Sequence, residues 1–338
     1  RASALAPSKN DSQKHHGIIK ATEEDLGRDS MQQLKKFMAA LALAAVSTSA
    51  LAQAPDGRFL SLTPPEGLPV IPVMEGWVAN EDGSGSFSMG FINKNKVGVD
   101  IPLGPNNYIE PAKYDGLQPT HFPPGRGVGA FEVRVPADEI DEDVWWYIRT
   151  GEGDVLKVPG RYGNAAYELD FVRPRPQGSM QPLMGFGEDG PQAAGLTGGR
   201  GTLDEEVKVG EPIELAVNVM DPSERDRTDP RFVDRLPVGI QFHKYHGPGN
   251  VEFSRHESTP EPVNPYSEDN PRFRFYRAPG ENEVSVEGGE GVAKVYATFA
   301  APGEYTIRVR ADNFRAPDSQ EGDQCCWTNL YQTVNVTE

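Results

Sequence analysis

The chain has 338 residues, of which 37% are hydrophobic, with 36 Gly and 30 Pro. That length suits two or three ordinary domains, and so much turn-forming residue favours short strands over long helices. The formal charge is −17, from 33 basic and 50 acidic residues; such a surface repels phosphate backbones and anionic lipid heads, so neither nucleic acid nor direct membrane binding is expected.

Residues 1–30 are polar and aperiodic and are read as an upstream extension outside the fold. Residues 31–52 then read as a signal peptide. Lys35 and Lys36 make a positive start, Phe37 to Val46 an apolar core too short to span a bilayer permanently, and Ala50-Leu51-Ala52 a cleavage triplet. This short, Lys-paired, Ala-rich style is bacterial. Processing after Ala52 is expected to leave Gln53 as the mature start, in the periplasm or outside the cell, with no membrane insertion afterwards.

Residues 53–172 are expected to form a first β-sandwich. Phe87, Met89 and Phe91 alternate onto one face, Val97 to Ile101 follow a polar turn, and Phe131, Val133 and Val135 alternate with Glu132 and Arg134. Val144-Trp145-Trp146-Tyr147-Ile148 is bulky on both faces, as a central strand would be. Val155 to Val158 and Tyr167 to Phe171 complete the set. The connection Pro102 to Pro124 is long and Pro-rich, which makes it the first place to seek function. Its aromatics Tyr108, Tyr114 and Phe122, with His121, are the expected ligand contacts.

Residues 173–204 read as a Pro/Gly-rich linker, and 205–338 as a second sandwich with an insertion at 254–283. Ile213, Leu215, Val217 and Val219 alternate cleanly; further strands are expected at Val238 to Tyr245, Val251 to Phe253, Ala293 to Phe299, Tyr305 to Ala311 and Leu330 to Val336.

Three segments of this second half, Val207–Pro212, Lys244–Phe253 and Thr298–Val309, resemble successive parts of a PKD-type immunoglobulin-like domain. The resemblance implies an all-β fold of two tandem immunoglobulin-like β-sandwich domains. It also implies that such modules serve as spacers, adhesive units or appendages of secreted enzymes. Within it, Gly303 supplies a tight turn, and Tyr305 can return its hydroxyl to the corner backbone as a tyrosine corner. The first half, through Gly90–Asn95, Ile101–Asn107 and Gln118–Phe122, resembles exported bacterial proteins of the same architecture.

Other residues invite chemistry that their context does not support. His243, His246 and His256 carry an H-x-x-H spacing that suits zinc or copper. On an extended strand, however, residues three apart face opposite ways unless a bulge intervenes, so ordinary surface histidines are expected. The acidic runs Asp138–Asp143 and Asp221–Asp226 offer oxygen ligands but follow no calcium-loop signature; solvated turns are the favoured reading. Cys325 and Cys326 are adjacent and the only cysteines. A vicinal disulfide, an intermolecular bridge and two thiols all remain open, the first favoured. No G-x-S-x-G occurs, and His121 has no partner legible in the sequence.

The expectation is therefore an exported monomer without catalytic residues, metal or cofactor, a binding or structural module whose partner is a glycan or another exported protein. The alternative is an accessory module of a secreted hydrolase or a metal-dependent enzyme.

Overall fold

Alternating apolar residues build the strands and Gly, Pro and Asn end them. A computed structural model describes residues 67–169, 175–320 and 323–338. The upstream extension and the signal peptide lie outside the described residues. The first half contains β1 (Val70–Ala79), β2 (Gly85–Asn93), β3 (Val99–Asp100), β4 (Asn107–Glu110), β5 (His121–Phe122), β6 (Gly125–Val135), β7 (Val144–Ile148) and β8 (Leu156–Gly160). One sheet runs β1-β2-β6, a second runs β4-β7-β8, and β3 pairs with β5.

The sheets share one core in which Phe87, Phe122, Phe131 and Trp146 are at most 1% exposed. Trp146, on the central strand β7, meets Phe131 edge-on at 5.0 Å. Its indole N–H donates to Asn107 Oδ1 at 3.0 Å, while the Asn107 amide donates to the carbonyls of Ile101 and Pro119. A buried polar side chain with its groups satisfied in this way holds the long connection against the core. The strand expected over Tyr167–Phe171 does not form across its described part. Ala165–Tyr167 is a single 3-10 turn, and Glu168 makes one isolated bridge to Trp77.

The second half contains β9 (Leu183–Phe186), β10 (Gly199–Thr202), β11 (Val207–Lys208), β12 (Pro212–Met220), β13 (Val238–His246), β14 (Val251–Arg255), β15 (Glu283–Val286), β16 (Glu290–Phe299), β17 (Gly303–Asp312) and β18 (Trp327–Thr337). One sheet runs β9-β12-β16-β14; the other carries β18-β17-β13-β15, with β10 and β11 both parallel to β18. This is the A-B-E-D and G-F-C pairing of an immunoglobulin sandwich. Leu215, Val217, Phe242, Ile307 and Val309 are fully buried between the layers.

The segment expected to be a linker is a correction: β9 and β10 lie within 173–204 and extend both sheets. Some of its glycines are required by close packing. A Cβ at Gly201 would sit 2.8 Å from the Phe186 ring, and one at Gly185 would sit 2.8 Å from the Pro191 carbonyl.

Tyr305 is buried, and its hydroxyl donates to Ala301 O at 2.9 Å and accepts from Gly249 N–H at 3.0 Å. Gly303 opens β17 at φ 138°, a conformation L side chains rarely adopt. Tyr305→Phe removes the hydroxyl and leaves both backbone groups short of a partner, so it should cost about 1–2 kcal/mol. Urea unfolding checks this: a lower midpoint at constant slope is expected, and an unchanged midpoint would refute the corner's contribution.

The two sandwiches are not beads on a string, since all described residues fall in one compact unit, Thr63–Glu338. Tyr245 and Tyr331, from β13 and β18, are buried in the first sandwich's core. Thr120 N–H donates to Tyr245 O at 3.0 Å, and Tyr331 Oη donates to Ala130 O at 3.1 Å.

Candidate functional site

The period of two along β7 puts Val144, Trp146 and Ile148 in the core and turns Trp145 and Tyr147 outward. On β4 the same rule buries Asn107 and Ile109 and turns out Tyr108 and Glu110. Strand register then places Tyr108 opposite Tyr147, Tyr147 opposite Lys157, and Glu110 opposite Trp145. The Tyr108 and Tyr147 rings stack at 4.6 Å, 6° from parallel. Lys157 Nζ lies 4.3 Å from the Trp145 ring centre and 5.3 Å from that of Tyr147. Tyr147 donates its phenol proton to the Glu110 carboxylate, and this bond holds the phenol above its ordinary pKa.

The outer face of this sheet thus carries a row of half-buried rings with a carboxylate and an ammonium among them. Ring surface favours flat apolar ligand faces, whereas Glu110, Lys157 and the phenols accept or donate hydrogen bonds. The sequence alone does not single out Trp145 or Tyr147 for this face. The paired Trp-Trp-Tyr run signals a central strand, and only register with β4 shows that its outer half meets Tyr108.

The other residues expected to contact ligand lie elsewhere. Phe122 is fully buried, edge-on to Phe91 at 5.1 Å, and Tyr114 is 8% exposed. Both are corrections: the connection folds back through β3–β5 pairing, so these rings fill the core. His121 is half-buried at the junction of the sandwiches. Its Nδ1 lies 2.9 Å from Asp100, which also takes Lys244 Nζ at 3.0 Å. Burial works to raise the Asp100 pKa, but the bonds from Lys244 and His121 outweigh it and leave it lowered.

The three clustered histidines part company. A bulge between Lys244 and His246 interrupts the alternation of β13. His243 faces Gln241 at 3.3 Å, whereas His246 Nε2 lies 2.8 Å from Gln118 O. His256, expected at the surface, is 7% exposed and sits 3.0 Å from Glu214. Acidic residues of both runs are taken up by cations. Asp143 pairs with Arg161 at 2.5 Å, Glu139 with Lys113, and buried Asp221 with Arg225 at 2.8 Å.

Cys325 and Cys326 are joined as a vicinal disulfide. With Asp323 they form the one close group of metal-type ligands among the described residues. Both sulfurs are committed to the bridge and so offer no thiolate.

No family model matches the sequence, and no curated protein does. Among solved structures, the D0-D1 domain of intimin matches at 12% identity and TM-score 0.22, covering 80% of this chain and 98% of that one. Domains 4 and 5 of the S-layer protein SbsC match at 12% identity and TM-score 0.21, covering 80% and 98%. CfaE, the adhesive subunit of CFA/I fimbria of enterotoxigenic Escherichia coli, matches at 10% identity and TM-score 0.21, covering 82% of each chain. At these scores none bears on what this chain binds.

Proposed function

We propose that this chain is an exported, non-catalytic module that binds a neutral glycan through the outer face of the β4-β7-β8 sheet. The observation that carries the reading is the ring row Tyr108–Tyr147 with Trp145, flanked by Glu110 and Lys157. A pyranose ring offers an apolar C–H face for ring surface and hydroxyls for the flanking polar groups, and both are met on this face. The formal charge of −17 favours an uncharged polymer over an anionic one at an open surface. Export rests on the signal-like segment 31–52. No helix among the described residues is long and apolar enough to cross a membrane.

The second sandwich is read as PKD-type. Its three resembling segments fall on β11–β12, the β13–β14 turn and the β16–β17 hairpin, where that pattern places strand pairs and the tyrosine corner.

Affinity electrophoresis of the full chain through gels containing neutral polysaccharides tests the function. Retardation by at least one is expected, with at least tenfold weaker binding in Tyr108→Ala and Trp145→Ala variants whose unfolding midpoints confirm that they fold. Failure against every neutral glycan, or undiminished retardation of both folded variants, would overturn the assignment.

A further inference from the structure

β14 is the outermost strand of its sheet, with β16 on one side and no described strand on the other. Asn250 O accepts from Ala300 N–H at 3.0 Å, which sets the hydrogen-bonding phase of the pair. The N–H and C=O groups of Glu252 and Ser254 therefore point at β16, and those of Val251, Phe253 and Arg255 point away from it. Arg255 N–H meets the Glu281 carboxylate at 3.0 Å. No described residue takes up the outward groups of Val251 or Phe253. Backbone groups are rarely buried unpaired, so these meet solvent as an open edge.

An arginine-rich stretch lies beside that edge. The Arg255 guanidinium donates to Pro279 O at 3.5 Å and Gly280 O at 3.4 Å, so the chain there abuts the end of β14. Arg277 is two residues further back, at most about 7 Å of chain. Pro271–Gly280 holds three arginines and no acid, within a chain of net charge −17. Exposed Arg126, Arg134, Arg161 and Arg231 each pair with a carboxylate. Arg272, Arg274 and Arg277 pair with none among the described residues, although Glu261, Glu268 and Asp269 belong to the same insertion. Rings and a carbonyl orient them instead. Arg274 lies 4.9 Å from the Phe275 ring centre, Arg272 lies 6.0 Å from that of Tyr266, and Arg277 donates to Tyr276 O at 3.0 Å. Phe273 and Phe275 themselves are 38% and 64% exposed.

We propose that the β14 edge and the Pro271–Gly280 stretch together bind an extended acidic peptide segment of a partner protein. The peptide backbone pairs with the outward groups of Val251 and Phe253 and adds a strand, while its carboxylates meet Arg272, Arg274 and Arg277. Phe273 and Phe275 offer ring surface to the side chains between those carboxylates. A long uniform polyanion fits less well. It has no amide ladder to match the edge, and it would run onto the acidic remainder of the surface. This surface lies on the second sandwich and is independent of the ring row on the first.

A fluorescent short peptide of alternating Glu and Val would be titrated into the full chain, reading anisotropy and amide hydrogen exchange. Saturable binding that weakens with salt is expected, with slower exchange at Val251 and Phe253. Arg272→Gln, Arg274→Gln and Arg277→Gln combined should weaken binding about tenfold or more. If that variant does not fold, the wild-type chain decides through an N-methylated copy of the peptide. The copy keeps every carboxylate but cannot complete the ladder, so it should bind more weakly and protect neither amide. Absence of binding, undiminished binding by the folded triple variant, or equal binding of the methylated copy would overturn the proposal. A sulfated polysaccharide that binds more tightly than the peptide, without protecting those amides, would overturn it in favour of a polyanion surface.

Discussion

Trp327→Ala is expected to destabilise the whole described unit by about 3–5 kcal/mol, the range for removing a buried aromatic from a core. Trp327 opens β18, directly after the disulfide, and is 2% exposed. Its ring lies against the backbone of Gly129 in β6, so it reaches from the second sandwich into the first. Gly129 has φ 53°, and any Cβ there would overlap the Trp327 ring. A missing side chain on one sandwich therefore admits the largest side chain of the other. Truncating the ring leaves a cavity at a junction that neither sandwich can close alone. Equilibrium urea unfolding, followed by circular dichroism and fluorescence, should show both signals shifting together to lower urea. If fluorescence from the remaining Trp77, Trp145 and Trp146, all in the first sandwich, held its midpoint, the sandwiches would be energetically separate.

Much of the architecture was legible because it depends on short-range alternation. Phe87, Met89 and Phe91, or Ile213 to Val219, announce their buried faces within a few residues. What was not legible depends on partners far along the chain. Phe122 and Tyr114 looked like surface aromatics in a Pro-rich connection, yet β3–β5 pairing and the Asn107 hydrogen bonds turn that connection inward. Residues 173–204 read as a Pro/Gly-rich linker, because composition does not distinguish a glycine of a linker from one pressed against Phe186.

The same limit applies to the sites. Tyr108 could be nominated from its place in the loop, but its stacking partner Tyr147 is set by register between β4 and β7. On β17, Thr306, Arg308, Arg310 and Asp312 alternate with Tyr305, Ile307, Val309 and Ala311, the ordinary pattern of a solvated outer face. Only the docking of the first sandwich buries Arg308 and Arg310 on that face.

Asn329→Leu is the second large effect, expected at about 3 kcal/mol or more despite similar side-chain volume. Asn329 is fully buried. Its amide donates to Gly129 O at 2.9 Å and Leu196 O at 3.0 Å, while its Oδ1 accepts from Arg308 Nε at 2.9 Å. One side chain on β18 thereby ties together β6 of the first sandwich, the approach to β10, and β17. Leucine fills the space but strands two carbonyls and one guanidinium N–H, and each buried polar group left unsatisfied costs about 1–3 kcal/mol. A double-mutant cycle with Arg308→Met separates this loss from simple repacking, because neighbours in one network couple by about 0.5–3 kcal/mol. Strict additivity would mean that the Asn329–Arg308 bond contributes nothing of its own. Coupling would show that the residue clamping the sandwiches also helps to hold a buried cation at the junction.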